Sequence, residues 1–253
     1  MTPLLEVKGL SKRFGGVTAL DAVSLSVSPG EAVGLIGPNG AGKTTLFDCV
    51  SGVIPSYQGS ISFDGRRIDR LWVHERARLG IGRTFQRLEL FAGMSVRDHL
   101  TVAEGERLGD GRLWKDLLWR GALRRPEVEH VEAVLAELGL DDVAESPIEA
   151  LSLGQGRLVE LGRALVREPR LLLLDEPSSG LDTREADALA AVVNDVRRSR
   201  STAVLLVEHD LDLVGAVVER AVALDFGRVV AAGALSEVLA DASVRAAYLG
   251  EAQ

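Results

Sequence analysis

Hydrophobic positions change period several times along the chain, and these changes mark out its strands and helices. Leu4 to Leu10 reads as a first strand, and Ala22 to Val27 alternates apolar and polar residues with a period of two. Pro29-Gly30 is a turn, and Val33 to Ile36 is then a short apolar run of the kind that forms a buried strand. A helix is predicted from near Gly42 to Val50, ended by Gly52 and Pro55. Ser60 to Phe63 reads as a strand entering a hairpin at Asp64-Gly65, and Leu71 to Leu79 as an arginine-rich helix. From Ser95 to about Leu140 the period is helical with few strand formers. Ser95-Val96-Arg97-Asp98 resembles a capping box with aspartate in the glutamate position, and Glu127 to Leu138 is a helix stopped by Gly139. Alternation of strand and helix then returns. Leu171-Leu172-Leu173-Leu174-Asp175 has no polar face, which suits the centre of a sheet covered on both sides. Helix Arg184 to Arg198, strand Ala203 to Val207, a short helix, and strands Ala221 to Asp225 and Arg228 to Val230 complete the pattern.

The expected organisation is one α/β domain over residues 1–253 with a helical insertion. Its core with a β subdomain takes 1–87 and 168–235, a helical subdomain 88–167, and a C-terminal helix 236–253. In the insertion, Trp114, Leu117, Leu118 and Gly121 fall near one face, interleaved with Arg112, Lys115 and Arg120. Two readings stand for residues 105–125: a surface helix touching lipid headgroups or a partner, and an amphipathic helix covering its own subdomain.

The first chemistry lies where the Val33–Ile36 run empties into Gly37, Pro38, Asn39, Gly40, Ala41, Gly42, Lys43, Thr44 and Thr45. Gly37 to Thr44 fits the G-x-x-x-x-G-K-[ST] phosphate-binding loop without a mismatch. Glycines let successive backbone N–H groups turn around an anion, and the helix that follows aims its positive dipole end at the same place. Lys43 then offers a charge to the β- and γ-phosphates and Thr44 a hydroxyl to Mg²⁺. Such a loop needs an acidic metal-site residue and a group that positions water. Asp175 at the end of an apolar strand, and Glu176 after it, are the candidates. Arg13-Phe14-Gly15-Gly16 reads as a loop whose aromatic either stacks on a base or covers a core edge.

Composition adds boundaries. An apolar fraction of 46% is ample for a packed core, and a net charge of −8, from 37 acidic and 29 basic residues, speaks against a general affinity for nucleic acid. Cys49 is the one cysteine, so no intramolecular disulfide forms, and its position suggests a small core residue. Met1 to Leu10 has no extended apolar region of a secretory signal, and no window approaches the roughly 18 apolar residues of a spanning helix. The expectation is a chain soluble on its own that works at a membrane only through partners.

Leu151-Ser152-Leu153-Gly154-Gln155 resembles the LSGGQ signature of ATP-binding-cassette ATPases. Ser152 reads as the N-cap of a helix from Leu153 to Arg167, a second helix start able to meet an anion. Leu153 departs from the commonest glycine, while Gly154 is retained. Ser178-Ser179-Gly180-Leu181-Asp182 looks like the family's D-loop, Gln86 like its Q-loop glutamine, His209 like its switch histidine, and Phe14 falls where it carries the aromatic that stacks on adenine. The resemblance implies a phosphate-loop α/β core with a mostly parallel sheet, an N-terminal antiparallel β subdomain and an inserted α-helical subdomain. It implies ATP and Mg²⁺, with Thr44, Gln86 and Asp175 organising the ion, Lys43 and the loop amides holding phosphates, and Glu176 polarising water. His209 would contact the γ-phosphate. Ser152, Leu153, Gly154 and Gln155 would meet the γ-phosphate held by a second ATPase subunit, identical or related, with Asp182 connecting the two sites.

The stretch Gly80-Ile81-Gly82-Arg83-Thr84-Phe85-Gln86, continuing through Leu90-Phe91 and Met94-Ser95-Val96, is similar to a segment of the ATPases that serve bacterial branched-chain amino acid importers. Leu224-Asp225-Phe226-Gly227-Arg228 and Ala246-Ala247-Tyr248-Leu249-Gly250-Glu251 are similar to that group's ending. This implies a peripheral position on the cytoplasmic face of the cell membrane, beneath two permease subunits fed by an extracytoplasmic solute-binding protein. Relatives that serve urea or amide import or lipopolysaccharide export, and non-transport cassettes such as iron–sulfur assembly ATPases, are the alternatives.

Overall fold

The computed structural model describes residues 2–55, 57–84, 89–107 and 125–249. In chain order the elements are β1 (Leu5–Phe14), β2 (Val17–Val27), β3 (Ala32–Ile36), α1 (Lys43–Ser51), β4 (Gln58–Phe63), β5 (Arg66–Arg67), α2 (Val73–Arg78) and β6 (Ile81–Arg83). Then come α3 (Val96–Arg107), α4 (Arg125–Glu137), α5 (Leu153–Leu165), β7 (Leu171–Asp175), α6 (Thr183–Arg200) and β8 (Ala203–Val207). The remainder is α7 (Leu211–Val217), β9 (Arg220–Asp225), β10 (Arg228–Ala234), α8 (Leu235–Ala240) and α9 (Ala242–Leu249). Residues 108–124, which include Trp114, Leu117, Leu118 and the other residues of the amphipathic pattern, lie outside the described residues, as do Phe85, Gln86 and 250–253.

Two sheets share the work. A six-stranded sheet runs β10-β9-β3-β8-β7-β6, parallel except where β10 pairs antiparallel with β9. A four-stranded antiparallel sheet, β2-β1-β4-β5, is built from the N-terminal strands, and its β4–β5 turn uses positive φ at Asp64 and Gly65, as a two-residue hairpin requires. The expected α/β architecture with an antiparallel N-terminal sheet is therefore what forms.

The apolar runs explain the layers. Along β7, Leu171 and Leu173 join a core shared with the antiparallel sheet and α1, whereas Leu172 and Leu174 enter a second core formed with the helices. In β8, Leu205 and Val207 face the first core, and Val204 and Leu206 the second. A strand covered on both faces has no place for a polar residue, hence the four consecutive leucines. Val96, Leu100, Val131, Leu135 and Val159 of α3, α4 and α5 belong to the second core, so the helices after β6 pack on the same body. Cys49 is fully buried in the first core, and burial pushes its thiol up to about 12, so it packs rather than reacts.

Boundaries differ from the expected ones where pairing overrides local signals. β1 continues to Phe14 because β2 pairs with it as far as Phe14↔Val17, so Arg13 and Phe14 are strand residues and only Gly15-Gly16 make the turn. β10 likewise extends to Ala234 on β9, and the signature helix stops at Leu165. The arginine-rich α2 contributes a buried cation. Arg76 is fully buried, and its Nη1 donates to the carbonyls of Cys49 and Val50 at the end of α1, 2.6 and 2.9 Å away. A guanidinium on those last carbonyls satisfies acceptors that the helix leaves open and opposes its negative dipole end.

Candidate active site

β3, β7 and β8 end at one edge of the parallel sheet, the carboxyl edge where α/β sheets bind ligands. β3 leads into the phosphate loop. Gly37 and Pro38 are buried, and Asn39 and Gly40 are exposed. A side chain at Gly37 would place its Cβ 2.1 Å from the Leu224 carbonyl oxygen, and one at Gly42 would come within 2.5 Å of the Ala19 carbonyl oxygen. These two glycines are thus demanded by the backbones packed behind the loop, while Gly40 faces open space with φ at +79°. α1 starts after Gly42, at φ +103°, with no side chain capping it and no acidic residue in its first turn. Its N–H groups remain available for an anion. The Lys43 ammonium is buried and donates to the carbonyls of Gly37 and Pro38 at 2.5 and 2.9 Å. Thr44 is exposed beside it. The Gly37 N–H in turn donates to the Tyr248 hydroxyl of α9 at 2.9 Å.

The end of β7 carries Asp175, 3% exposed. Burial pushes its carboxyl above the usual carboxylate range, opposed by the Arg83 guanidinium and reinforced by the charges of Glu176 and Asp48. Glu176 follows with φ at +48°, a left-handed backbone that a side chain of its size rarely adopts, and its N–H donates to the Val207 carbonyl at 2.8 Å. Its Oε1 lies 2.5 Å from His209 Nε2. An ionised carboxylate only accepts, so with Glu176 charged that imidazole nitrogen carries the proton. Glu208, 2% exposed, binds both sides of this gap: Oε1 accepts from the N–H and hydroxyl of Ser178, at 2.8 and 2.6 Å, and Oε2 from the His209 N–H at 2.9 Å.

The second helix start is built as the sequence indicates. Ser152 Oγ accepts from the Gln155 N–H at 3.2 Å, and Gln155 Oε1 accepts from the Ser152 N–H at 3.0 Å, a complete capping box on α5. Ser152 Oγ also donates to Glu185 Oε1 at 3.1 Å, and the Gly154 N–H donates to that same oxygen at 3.2 Å. A Cβ at Gly154 would lie 2.8 Å from it, so a side chain there displaces the Glu185 carboxylate. Leu153 is 40% exposed. Asp182 is the N-cap of α6, accepting from the Glu185 N–H at 2.9 Å. Phe14 ends β1, 49% exposed, with the Lys12 ammonium 5.0 Å from the ring centroid.

The structure therefore brings Lys43, Thr44, Asp175, Glu176 and His209 to the edge where β3, β7 and β8 end. Gln86 lies outside the described residues. Sequence reading passed over Arg83, Glu185, Glu208 and Tyr248. Arg83 and Tyr248 stand inside quoted stretches and Glu185 and Glu208 close to quoted motifs, but the task of each depends on partners far along the chain, which spacing does not show. Among the described residues no three His, Cys, Asp or Glu side chains gather as a metal cluster. A hydroxyl and one carboxylate suit Mg²⁺, which takes oxygen ligands and is held by one or two carboxylates together with substrate phosphates.

A family model described as ABC transporter matches residues 20–179. The chain is 40% identical over 253 residues to the high-affinity branched-chain amino acid transport ATP-binding protein BraF of Pseudomonas aeruginosa, covering 99% of each. It is 38% identical over the same length to LivG of Escherichia coli, of the same description, again covering 99% of each. Among solved structures, the ADP conformation of MJ1267, an ATP-binding cassette of an ABC transporter, superposes with a TM-score of 0.86 at 30% identity, covering 99% of this chain and 100% of the other. With the phosphate loop, the two strand-end carboxylates and the capped signature helix in place, the chain belongs to the ABC transporter family and is an ABC-type ATPase.

Proposed function

We propose that this ATPase powers the import of branched-chain amino acids from the cytoplasmic face of the cell membrane, paired with a second ATPase subunit beneath two permease subunits. The observation that carries the substrate is the 40% and 38% identity with BraF and LivG over 99% of the chain. A groove of about 290 Å³ between α2, β6 and α3 supports permease docking: Val53, Val73, Phe91 and Val102 line it and are exposed. Exposed apolar side chains grouped around a groove are characteristic of protein interfaces.

In this reading ATP lies with its base on Phe14 and its β- and γ-phosphates on the uncapped start of α1. Gly40 and the residues from Gly42 to Thr45 supply N–H groups, and Lys43 exchanges two carbonyl acceptors for phosphate oxygens, which are stronger partners for an ammonium. Thr44, Gln86 and Asp175 would hold Mg²⁺, which when bound offsets phosphate charge. Water attacks the γ-phosphorus in line, the bond to the ADP oxygen breaks, and Glu176 takes the proton. His209 holds the Glu176 carboxylate and reaches the γ-phosphate. The α5 start, Ser152 to Gln155, meets the γ-phosphate of the partner subunit, with Asp182 at the junction, so ATP joins the subunits until it is hydrolysed.

Labelled leucine uptake tests the whole reading. Cells whose gene carries Lys43→Ala lose uptake, and Glu176→Gln abolishes turnover while ATP still binds and a closed dimer accumulates. Undiminished leucine uptake alongside a lost ATPase activity would refute the substrate, and urea uptake or lipopolysaccharide export lost instead would identify the related transporter. Normal turnover by Glu176→Gln would remove that residue from its role.

A further inference from the structure

We propose that Arg83 is a positioning residue for hydrolysis: its guanidinium fixes the Asp175 carboxylate against helix α1, so that the metal-site acid and the phosphate loop keep one spacing. The inference rests on reading Asp175 as the acidic metal-site residue.

Arg83 is the last residue of β6, and its side chain is only 12% exposed. Nη1 donates to Asp48 Oδ1 at 2.6 Å and to Ser51 Oγ at 3.1 Å, while Nη2 donates to Asp175 Oδ2 at 3.0 Å. The guanidinium also stands 5.8 Å from the centroid of the Phe47 ring. Asp48 is one helical turn beyond Thr44, on the same face of α1, so the fork ties the helix that begins at the phosphate loop to the strand that presents Asp175. Arg83 is the only described residue that hydrogen-bonds the Asp175 side chain, so this one contact decides which oxygen is taken and which is left for other ligands. Arginine is suited to the task. Its planar fork reaches two acceptors at fixed angles, whereas a lysine ammonium is a point charge on a flexible stem.

The full-length protein tests this with Arg83→Gln, Arg83→Lys, Asp48→Asn and Asp175→Asn. Binding of a fluorescent ATP analogue is measured in EDTA and across a Mg²⁺ titration, beside kcat, KM and thermal melting. In Arg83→Gln the affinity in EDTA stays within about twofold and KM for ATP is unchanged. The Mg²⁺ concentration for half-maximal effect rises and kcat falls, each by about 10–100-fold, as for groups that orient a metal ligand. Arg83→Lys fails to restore either value. Asp48→Asn shifts Mg²⁺ dependence in the same direction by less and adds nothing to Arg83→Gln, since both cut one linkage. A folded Arg83→Gln with wild-type Mg²⁺ dependence, full rescue by lysine, or additive effects of Asp48→Asn would overturn the proposal. If Arg83→Gln does not fold, Asp48→Asn decides by its Mg²⁺ shift. Wild-type Mg²⁺ dependence in Asp175→Asn would instead defeat the reading of Asp175, whereas a defective Asp175→Asn beside a normal Arg83→Gln defeats the role of Arg83 alone.

Discussion

Replacing Glu208 by glutamine changes one atom in a buried side chain, and the structure makes the cost calculable. Both carboxylate oxygens are taken: Oε1 by two donors of Ser178, and Oε2 by the His209 N–H and, at 3.4 Å, the Asp210 N–H. Glutamine keeps one acceptor and turns the other position into a donor. Whichever way the amide points, it faces an N–H with its own N–H. At least one hydrogen bond to a charged group is lost, worth about 1.5–3 kcal/mol, and a nearly buried donor is left without a partner. Allowing for relaxation, the net destabilisation is about 2–4 kcal/mol. For a domain of this size 1 kcal/mol moves Tm by about 2–4 °C, so melting should fall by about 4–16 °C. Below that melting point, the loop at Ser178 and the backbone of His209 lose their common anchor, so kcat should fall while nucleotide binding, which depends on the loop after β3, is retained. Thermal melting and steady-state ATPase measurements on the purified chain check both. A Tm within 1–2 °C of wild type with unchanged kcat would refute the assignment of Glu208 as the link.

Three further outcomes are expected. Gly154→Ala pushes the Glu185 carboxylate, 2.8 Å away, off Ser152 and the Gly154 N–H and should cost about 0.5–1.5 kcal/mol of stability, measurable by melting. Tyr248→Phe removes the acceptor of the Gly37 N–H and should raise the Kd for ATP by about fivefold, equivalent to ~1 kcal/mol, in a fluorescence titration. Glu185→Gln removes a negative charge from the start of α5, where the proposed partner γ-phosphate binds, so dimerisation in a Glu176→Gln background should need several-fold less ATP, about 0.3–1 kcal/mol; an increased requirement would contradict that site.

Much of the fold was legible because its cues are local. The β7 and β8 runs matched in full, since a strand buried on both faces admits only apolar residues and ends where a polar one appears. Gly52 at φ +88° closes α1, and Ser152 with Gln155 opens α5, because caps are written within four positions. Cues fail where the determinant is distant. Phe14 sits beside two glycines and looks like loop, yet pairing with Val17 keeps it in a strand. Arg76 looks like one of several surface arginines and is fully buried, because its partners are the carbonyls ending α1. Gly37 and Gly42 suggest an anion cradle by spacing, but what excludes a side chain at each is a neighbouring backbone carbonyl. In the site, the residues of the motifs were readable and the residues that hold them were not.

That division has a physical basis at Glu176. Its left-handed backbone carries strain of about 1–3 kcal/mol, which local sequence does nothing to relieve, so surrounding groups must enforce it. They do so from several directions. The Glu176 N–H is bonded to Val207 on β8, its side chain to His209, the next turn is held at Ser178 by Glu208, and Arg157 from α5 donates to the Ser179 carbonyl at 3.2 Å. Hydrogen bonds of the charged kind contribute about 1.5–3 kcal/mol each, so two of them outweigh the strain and the loss of one removes an amount comparable to it. The phosphate loop, by contrast, is held by its own glycines, by the backbones of Ala19 and Leu224 packed behind it and by the Tyr248 hydroxyl on the Gly37 N–H. Nucleotide affinity and turnover are therefore anchored in different parts of the molecule. Substitutions at Glu208 and Arg157 should lower kcat with little change in ATP affinity, and a uniform loss of both would show that the two anchors are one.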